Sequence, residues 1–169
     1  MSRGEKPVTC TRASTVDELL PMCDVVSLHT VLDDSTHHLI NADRLKAMRP
    51  DAVLINTARG PCVDEAALVA HLQHQPTFTC GLDVFEREPK LAEGLAECPN
   101  AVIVPHIASA SLYTRGGMAT LAACNVAARL RNDPVWDKPD DVAPFLDGPA
   151  SEVPHFSPSI VNAEHLKLK

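Results

Sequence analysis

Several features that would assign this sequence to a functional class are missing from it. It has no cluster of lysine and arginine, and its 169 residues carry a net charge of −7, which argues against a nucleic-acid partner. No apolar run approaches the roughly 18 residues needed to cross a bilayer, so no membrane partner is expected. The first six residues, Met-Ser-Arg-Gly-Glu-Lys, lead into polar sequence without the apolar stretch of a secretory signal. The cysteines at 10, 23, 62, 80, 98 and 124 include no Cys-x-x-Cys pair. Cys80 and Cys124 sit inside apolar runs, so buried free thiols in a reducing compartment are expected. The histidines show no ligand spacing: His37 and His38 are adjacent and diverge, and His71 and His74 have no further ligand near them. The expected metal content is none. No internal repeat is evident.

What is present is an ordinary globular composition, 45% hydrophobic and 22% charged, in a length that buries one core. Pro7–Cys10 reads as a short strand. Thr15 and Glu18 fit a capping box that opens a short helix. Compact apolar, β-branched runs at 24–28, 52–56, 78–84 and 101–104 read as buried strands. Asn41 caps a helix from Ala42 to Met48 that Pro50 stops, and Asp64 caps another from Glu65 to about His74. Strands and helices alternate, and the strands are apolar throughout, which predicts an α/β fold with a parallel sheet covered on both faces.

A long helix is expected from Leu112 to Arg131, with Met118, Ala122, Val126 and Leu130 forming a stripe. Gly116 and Gly117 within it cost about 1 kcal/mol each against alanine. They fit either a close approach to another backbone or a local kink. From Asp133 the sequence turns to proline and acid, which predicts an irregular tail, laid over a surface or partly disordered. One further absence bears on the fold. A doubly wound dinucleotide-binding domain begins with a strand, a Gly-x-Gly-x-x-Gly turn and a helix that receives the pyrophosphate. The sequence contains no such turn.

Three apolar runs end in groups that carry chemistry. Arg59 follows Ile-Asn-Thr-Ala and precedes Gly60-Pro61; its fork of donors suits the carboxylate and adjacent carbonyl of a 2-keto acid. Its bland alternative is a surface arginine. His106, after Val-Pro, has the chemistry of a general acid and base, against the commoner alternative of a hydrogen-bonded histidine at a strand end. Glu88 would favour the charged imidazole if the two are paired, and otherwise is a solvated loop charge. Asp83 lies within an apolar run, where a carboxylate is costly unless something polar faces it. Strands placed side by side would empty Arg59, Glu88 and His106 into one cleft.

The segments Ile-Asn-Thr-Ala-Arg-Gly-Pro-Cys-Val-Asp, Gly-Leu-Asp-Val-Phe-Glu-Arg-Glu-Pro and Val-Pro-His-Ile-Ala-Ser resemble signatures of the D-isomer-specific 2-hydroxyacid dehydrogenases. Pro-His-Ile-Ala-Ser-Ala-Ser, Gly-Met-Ala-Thr-Leu-Ala-Ala, Asp-Pro-Val-Trp at 133–136 and Ser-Pro-Ser-Ile-Val-Asn at 157–162 are most similar to the plant-type hydroxypyruvate reductases within that family. The likeness runs from about Glu5 to Leu166. It implies an oxidoreductase with Arg59 binding substrate, Glu88 paired to histidine and His106 as acid and base. It also implies cofactor contacts from His29, Val31, Thr57, Ala58, Arg59, Asp83 and His106. The implied reaction is reduction of hydroxypyruvate, or glyoxylate, to D-glycerate or glycolate with NADH, NADPH remaining open. The implied partners are a small 2-keto or 2-hydroxy acid and, at full length, a second copy. Two alternatives stay open: another dehydrogenase of the family (phosphoglycerate, formate or D-lactate type), and a non-catalytic dinucleotide-fold remnant acting through protein contacts.

Set against the family pattern, a partial Rossmann-like sheet is expected, lacking the N-terminal glycine-rich βαβ portion, with a long C-terminal helix and an irregular tail. The expected divisions are 1–109 as a partial NAD-binding domain, 110–132 as a helix returning toward a missing substrate domain, and 133–169 as tail. The expectation is a C-terminal fragment with little or no activity alone. Leu166-Lys-Leu-Lys169 is not a clean Ser-Lys-Leu-type peroxisomal address. Peroxisome, mitochondrion and cytoplasm therefore all remain open.

Overall fold

The structure is a computed structural model and describes residues 10–138, 141–147 and 149–158. Residues 10–108 lie in one compact unit and those from Ser109 onward in a second. The first unit contains a four-stranded sheet in the order β1 (Val25–Leu28), β2 (Val53–Asn56), β3 (Thr79–Leu82) and β4 (Ala101–Ile103). All three pairings are parallel. The four strands fall within the four apolar runs, shorter by a residue or more at their ends. The expected strand at Pro7–Cys10 lies outside the described residues except for Cys10, which is exposed and in no strand.

Helices form where local capping chemistry starts them. The Thr15 hydroxyl accepts the Glu18 N–H at 3.1 Å at the head of α1 (Val16–Leu19), and the Glu18 carboxylate reaches back to the N–H of Ser14 at 3.0 Å. That is a capping box shifted by one residue at its return bond. Asn41 accepts from Arg44 to open α2 (Ala42–Ala47), and Asp64 accepts from Ala67 to open α3 (Glu65–His74).

One expectation needs correction. The strands are not evenly buried on both faces: β1 alternates exposed and buried, and β2 and β3 alternate half-buried and buried. Successive strands are neighbours in the order 1-2-3-4, and α2 packs on α3, so both crossover helices share one face. Side chains alternate along a strand, and only every second one meets those helices. Val26, Leu28, Leu54, Cys80 and Leu82 enter the core with Leu45, Leu68, Leu72 and Phe78, while Val25 and Val102 stay 59% and 67% exposed. The half-buried Asn100 amide closes the base of the sheet by donating to the carbonyls of Leu72, Gln75 and Phe78.

In the second unit, α4 spans Leu112–Arg131, opened by Ser111 accepting from Thr114 and closed at Asn132 in the left-handed region (φ 59°). The expected stripe is exposed at Met118, Val126 and Leu130, and Ala128 is the helix's buried residue. Among the described residues no backbone approaches the glycine pair: a Cβ on Gly117 would touch the Leu146 side chain alone, and one on Gly116 would meet none of them. Beyond α4 the described part of the chain is largely irregular, with a short helix α5 (Ala143–Leu146) and a 3-10 turn at Ala150–Glu152. It is ordered around Trp136, whose ring meets Phe145 and Phe156 edge-on and whose indole N–H donates to the Asp141 carbonyl. Much of the Ser-Pro-Ser-Ile-Val-Asn segment, from Ser159, lies outside the described residues.

Candidate active site at the carboxyl edge of the sheet

Because the strands are parallel, the segments that follow β2, β3 and β4 all leave from one edge. Arg59 follows β2 by three residues. Its turn is built by Asn56, which is 1% exposed: the side-chain carbonyl accepts the Ala58 N–H at 3.0 Å and the amide donates to the Arg59 carbonyl at 3.0 Å. Arg59 itself is exposed, and its Nη1 donates to the Ala58 carbonyl at 2.6 Å. The next residue, Gly60, is buried directly against the chain that follows β3. A Cβ there would lie 1.9 Å from the Phe85 carbonyl carbon and 2.4 Å from the Glu86 nitrogen. Only glycine permits that approach.

Asp83 follows β3 and is 4% exposed. The polar partners its burial demands are two backbone N–H groups, Ile107 at 2.6 Å and Ala108 at 3.0 Å. They lie just past His106, which adopts the left-handed region at φ 53°. That conformation costs a non-glycine residue roughly 1 kcal/mol or more and persists where surrounding bonds over-determine it. Here those bonds are the Asp83 tether and the His106 N–H to the Val104 carbonyl, 3.1 Å.

Glu88 then meets the imidazole. His106 Nδ1 lies 2.9 Å from Glu88 Oε2, and the other carboxylate oxygen accepts the Phe85 N–H at 3.0 Å. The hydrogen bond from His106 and then that from Phe85 hold the Glu88 carboxyl below its usual range; slight desolvation opposes them, and the charges of His106 and Arg59 lower it further. Arg59 thus acts on Glu88 electrostatically without a hydrogen bond to it. The opening beside Glu88 and His106, about 420 Å³, is lined by Phe85, Pro89, Leu91, Ile103, Val104 and Pro105. Of the three groups expected in one cleft, Glu88 and His106 are in contact, and Arg59 is turned back on its own Ala58 carbonyl.

The other sequence-predicted residues lie elsewhere on the same edge. His29 follows β1, at the opposite end of the sheet from β4, with Nε2 2.8 Å from the Ser27 hydroxyl. Val31 is 75% exposed. Its carbonyl accepts from Thr36. His29 and Val31 line a separate cleft of about 660 Å³ with Leu28, Thr30 and Ile40. Thr57 is exposed, and the Ala58 N–H is committed to Asn56. Among the described residues no group of three or more histidine, cysteine or acidic side chains is placed to hold a metal. Asn56, Gly60 and Glu65 shape the site without having been singled out from sequence. An asparagine ending an apolar run, a glycine after an arginine and an acid opening a helix are common, and only their partners give them meaning.

With this geometry in place, known proteins identify the lineage. The family model described as D-isomer specific 2-hydroxyacid dehydrogenase, NAD binding domain, matches residues 2–108. The chain belongs to this family. Among its relatives, a glycerate dehydrogenase of Cucumis sativus is 59% identical over 165 residues, 98% of this chain and 43% of that protein. A peroxisomal glycerate dehydrogenase of Arabidopsis thaliana is 54% identical over 167 residues, 99% of this chain and 43% of that protein. A solved NADPH-dependent glyoxylate/hydroxypyruvate reductase from Sinorhizobium meliloti, in complex with NADP and malonate, superposes with a TM-score of 0.72 at 39% identity. That superposition covers 78% of this chain and 41% of that one. The chain therefore spans less than half the length of these dehydrogenase relatives. The matched NAD-binding segment contains every candidate site residue, and it ends at Ala108, one of the two N–H groups tethered by Asp83.

Proposed function

We propose that this sheet edge is the proton-transfer and anion-binding part of an NAD(P)H-dependent reductase acting on hydroxypyruvate, and on glyoxylate, to give D-glycerate or glycolate. The observation that carries the reading is the His106–Glu88 pair. With Nδ1 hydrogen-bonded to a carboxylate, the ring presents Nε2 as its proton donor, and Glu88 stabilises the imidazolium whenever it forms. His106 gives its proton to the substrate carbonyl oxygen as that oxygen becomes a hydroxyl. Arg59 is an exposed guanidinium with one donor spent on Ala58, so the rest of its fork can take the substrate carboxylate. To do so it must swing from its present contact toward the pair. Substrate arrival would exchange one neutral carbonyl acceptor for a charged one.

The residues present fit a dinucleotide in part. Asp83 is a buried carboxylate at a strand end whose oxygens each retain a lone pair after binding Ile107 and Ala108, which suits the carboxamide of a nicotinamide. The open cleft beside Val31 and His29 suits an apolar ring system. Thr57 and Ala58 lie between these two positions in the sheet order. No Gly-x-Gly-x-x-Gly turn occurs in the sequence to cradle a pyrophosphate. When bound, the reduced nicotinamide supplies the hydride. This chain's residues would bind and orient around it and move the proton.

The test joins this chain to what its relatives have beyond it. A chimera in which these residues replace the matching 43% of the Cucumis sativus glycerate dehydrogenase should oxidise NADH with hydroxypyruvate. In a substrate panel it should prefer hydroxypyruvate or glyoxylate to phosphohydroxypyruvate and pyruvate. The 169-residue chain alone should show little turnover for want of the phosphate cradle. A folded chimera without reductase activity would overturn the proposal.

A further inference from the structure

Glu65 is a buried carboxylate that the proposed chemistry does not use. It occupies the first position of α3 and is 3% exposed. No lysine or arginine pairs with it among the described residues; instead Oε1 accepts the Glu86 N–H at 2.6 Å and Oε2 the Ala92 N–H at 3.2 Å. Burial pushes its carboxyl up, the two N–H groups pull it down, and the nearby carboxylates of Glu86 and Glu88 push it up again. Packing of α3 does not need it, because Leu68, Val69 and Leu72 fill the core, and Asp64 already caps the helix. The helix N-terminus favours a negative charge there, but burial so near two other carboxylates is still unfavourable.

What the arrangement achieves is geometric. Glu86 and Ala92 stand on either side of Glu88, so one carboxylate ties down both flanks of the segment that carries the histidine's partner. The Phe85–Glu86 peptide is fixed on further sides. Gly60 lies against it, the Phe85 N–H holds Glu88 Oε1, and the Glu86 side chain meets His38 Nε2 at 2.5 Å. Because Gly60 follows Arg59 directly, the same peptide also sets how far the guanidinium stands from Glu88. A chain of contacts therefore runs from Glu65 through the Glu86 N–H and the Phe85–Glu88 bond to His106 Nδ1.

We propose that Glu65 is a positioning residue, which through the 85–92 segment places the Glu88 carboxylate against His106 and so fixes the imidazole tautomer. The inference rests on reading Glu88 and His106 as the proton-transfer pair. Glu65→Gln keeps the size of the side chain but leaves one acceptor oxygen for two N–H groups. Glu65→Asp keeps the charge but is one methylene short of spanning both.

The experiment is nitrogen-15 NMR of the histidine rings in the 169-residue chain, at a pH where His106 is neutral, with amide exchange at Glu86 and Ala92 recorded alongside. In the unmodified chain His106 should be mainly the Nδ1–H tautomer, and Glu88→Ala should shift it mainly to Nε2–H. Both Glu65 variants should move it part of the way and speed exchange at Glu86 and Ala92 at least tenfold, with the signals of His74 unmoved. Should one variant fail to fold, the other carries the same expectation. Unchanged His106 tautomer populations in a folded Glu65 variant would overturn the proposal. An unmodified chain already lacking the Nδ1–H tautomer would overturn both it and the reading of the pair on which it rests.

Discussion

At the scale of single residues, the site depends on side chains that spend their hydrogen bonds on backbone. Asn56 builds the Arg59 turn with both ends of its amide and is fully enclosed, so Asn56→Ala takes the only partner from the half-buried Ala58 N–H, opens a cavity, and leaves the Arg59 carbonyl with the Cys62 N–H alone. The expected loss is about 1–3 kcal/mol of stability, read from urea unfolding monitored by far-UV dichroism. Gly60→Ala drives a methyl into the Phe85–Glu86 backbone, which cannot move without moving Glu88. Overpacking of this kind costs about 1–3 kcal/mol or more, and the His106 ring signals should change as well as the unfolding midpoint. Glu88 gives the pH dependence. Its folded-state value lies below its ordinary one, so its stabilisation is present above the ordinary carboxylate value and is lost as pH falls through the lowered value. The stability difference between the unmodified chain and Glu88→Gln should therefore be largest near neutral pH and vanish in acid. Because Glu88 is well exposed, the difference should be modest and should shrink further in salt.

Elements were the most legible level. Four β-branched runs gave four strands, and Asn41, Asp64 and Thr15 each capped the helix that followed, because strand runs and caps are written in a few consecutive residues. Asp64→Ala should cost about 1 kcal/mol through loss of the bond to the Ala67 N–H, read from thermal unfolding of α3. One-sided burial of the sheet was not legible. It depends on strand order and on α2 and α3 sharing a face, and an apolar run looks the same whether one face or both are covered. Arg59, Glu88 and His106 could be read from three motifs, but Arg59's turn back toward Ala58 could not, since the rotamer of an exposed arginine leaves no trace in sequence. Glu65 looked like any acid in a first helical turn. Its partners, Glu86 and Ala92, are 21 and 27 residues away.

At the scale of the whole molecule, the two units divide at Ala108, and every candidate site residue belongs to the first. That unit holds the carboxylate-braced histidine, the arginine and a buried aspartate, while the sequence contains no glycine-rich turn for a pyrophosphate. The central claim, that this edge moves a proton and holds an anion, predicts different failures for different residues. The most direct measurement is steady-state NADH oxidation with hydroxypyruvate by the glycerate dehydrogenase chimera carrying His106→Gln or Arg59→Gln. His106→Gln should lower kcat roughly a hundredfold to ten-thousandfold with little change in KM, as loss of a general acid does. Arg59→Gln should raise KM by about tenfold to a hundredfold, the equivalent of a charged hydrogen bond of about 1.5–3 kcal/mol. Full activity in either variant, with the fold intact, would contradict the account.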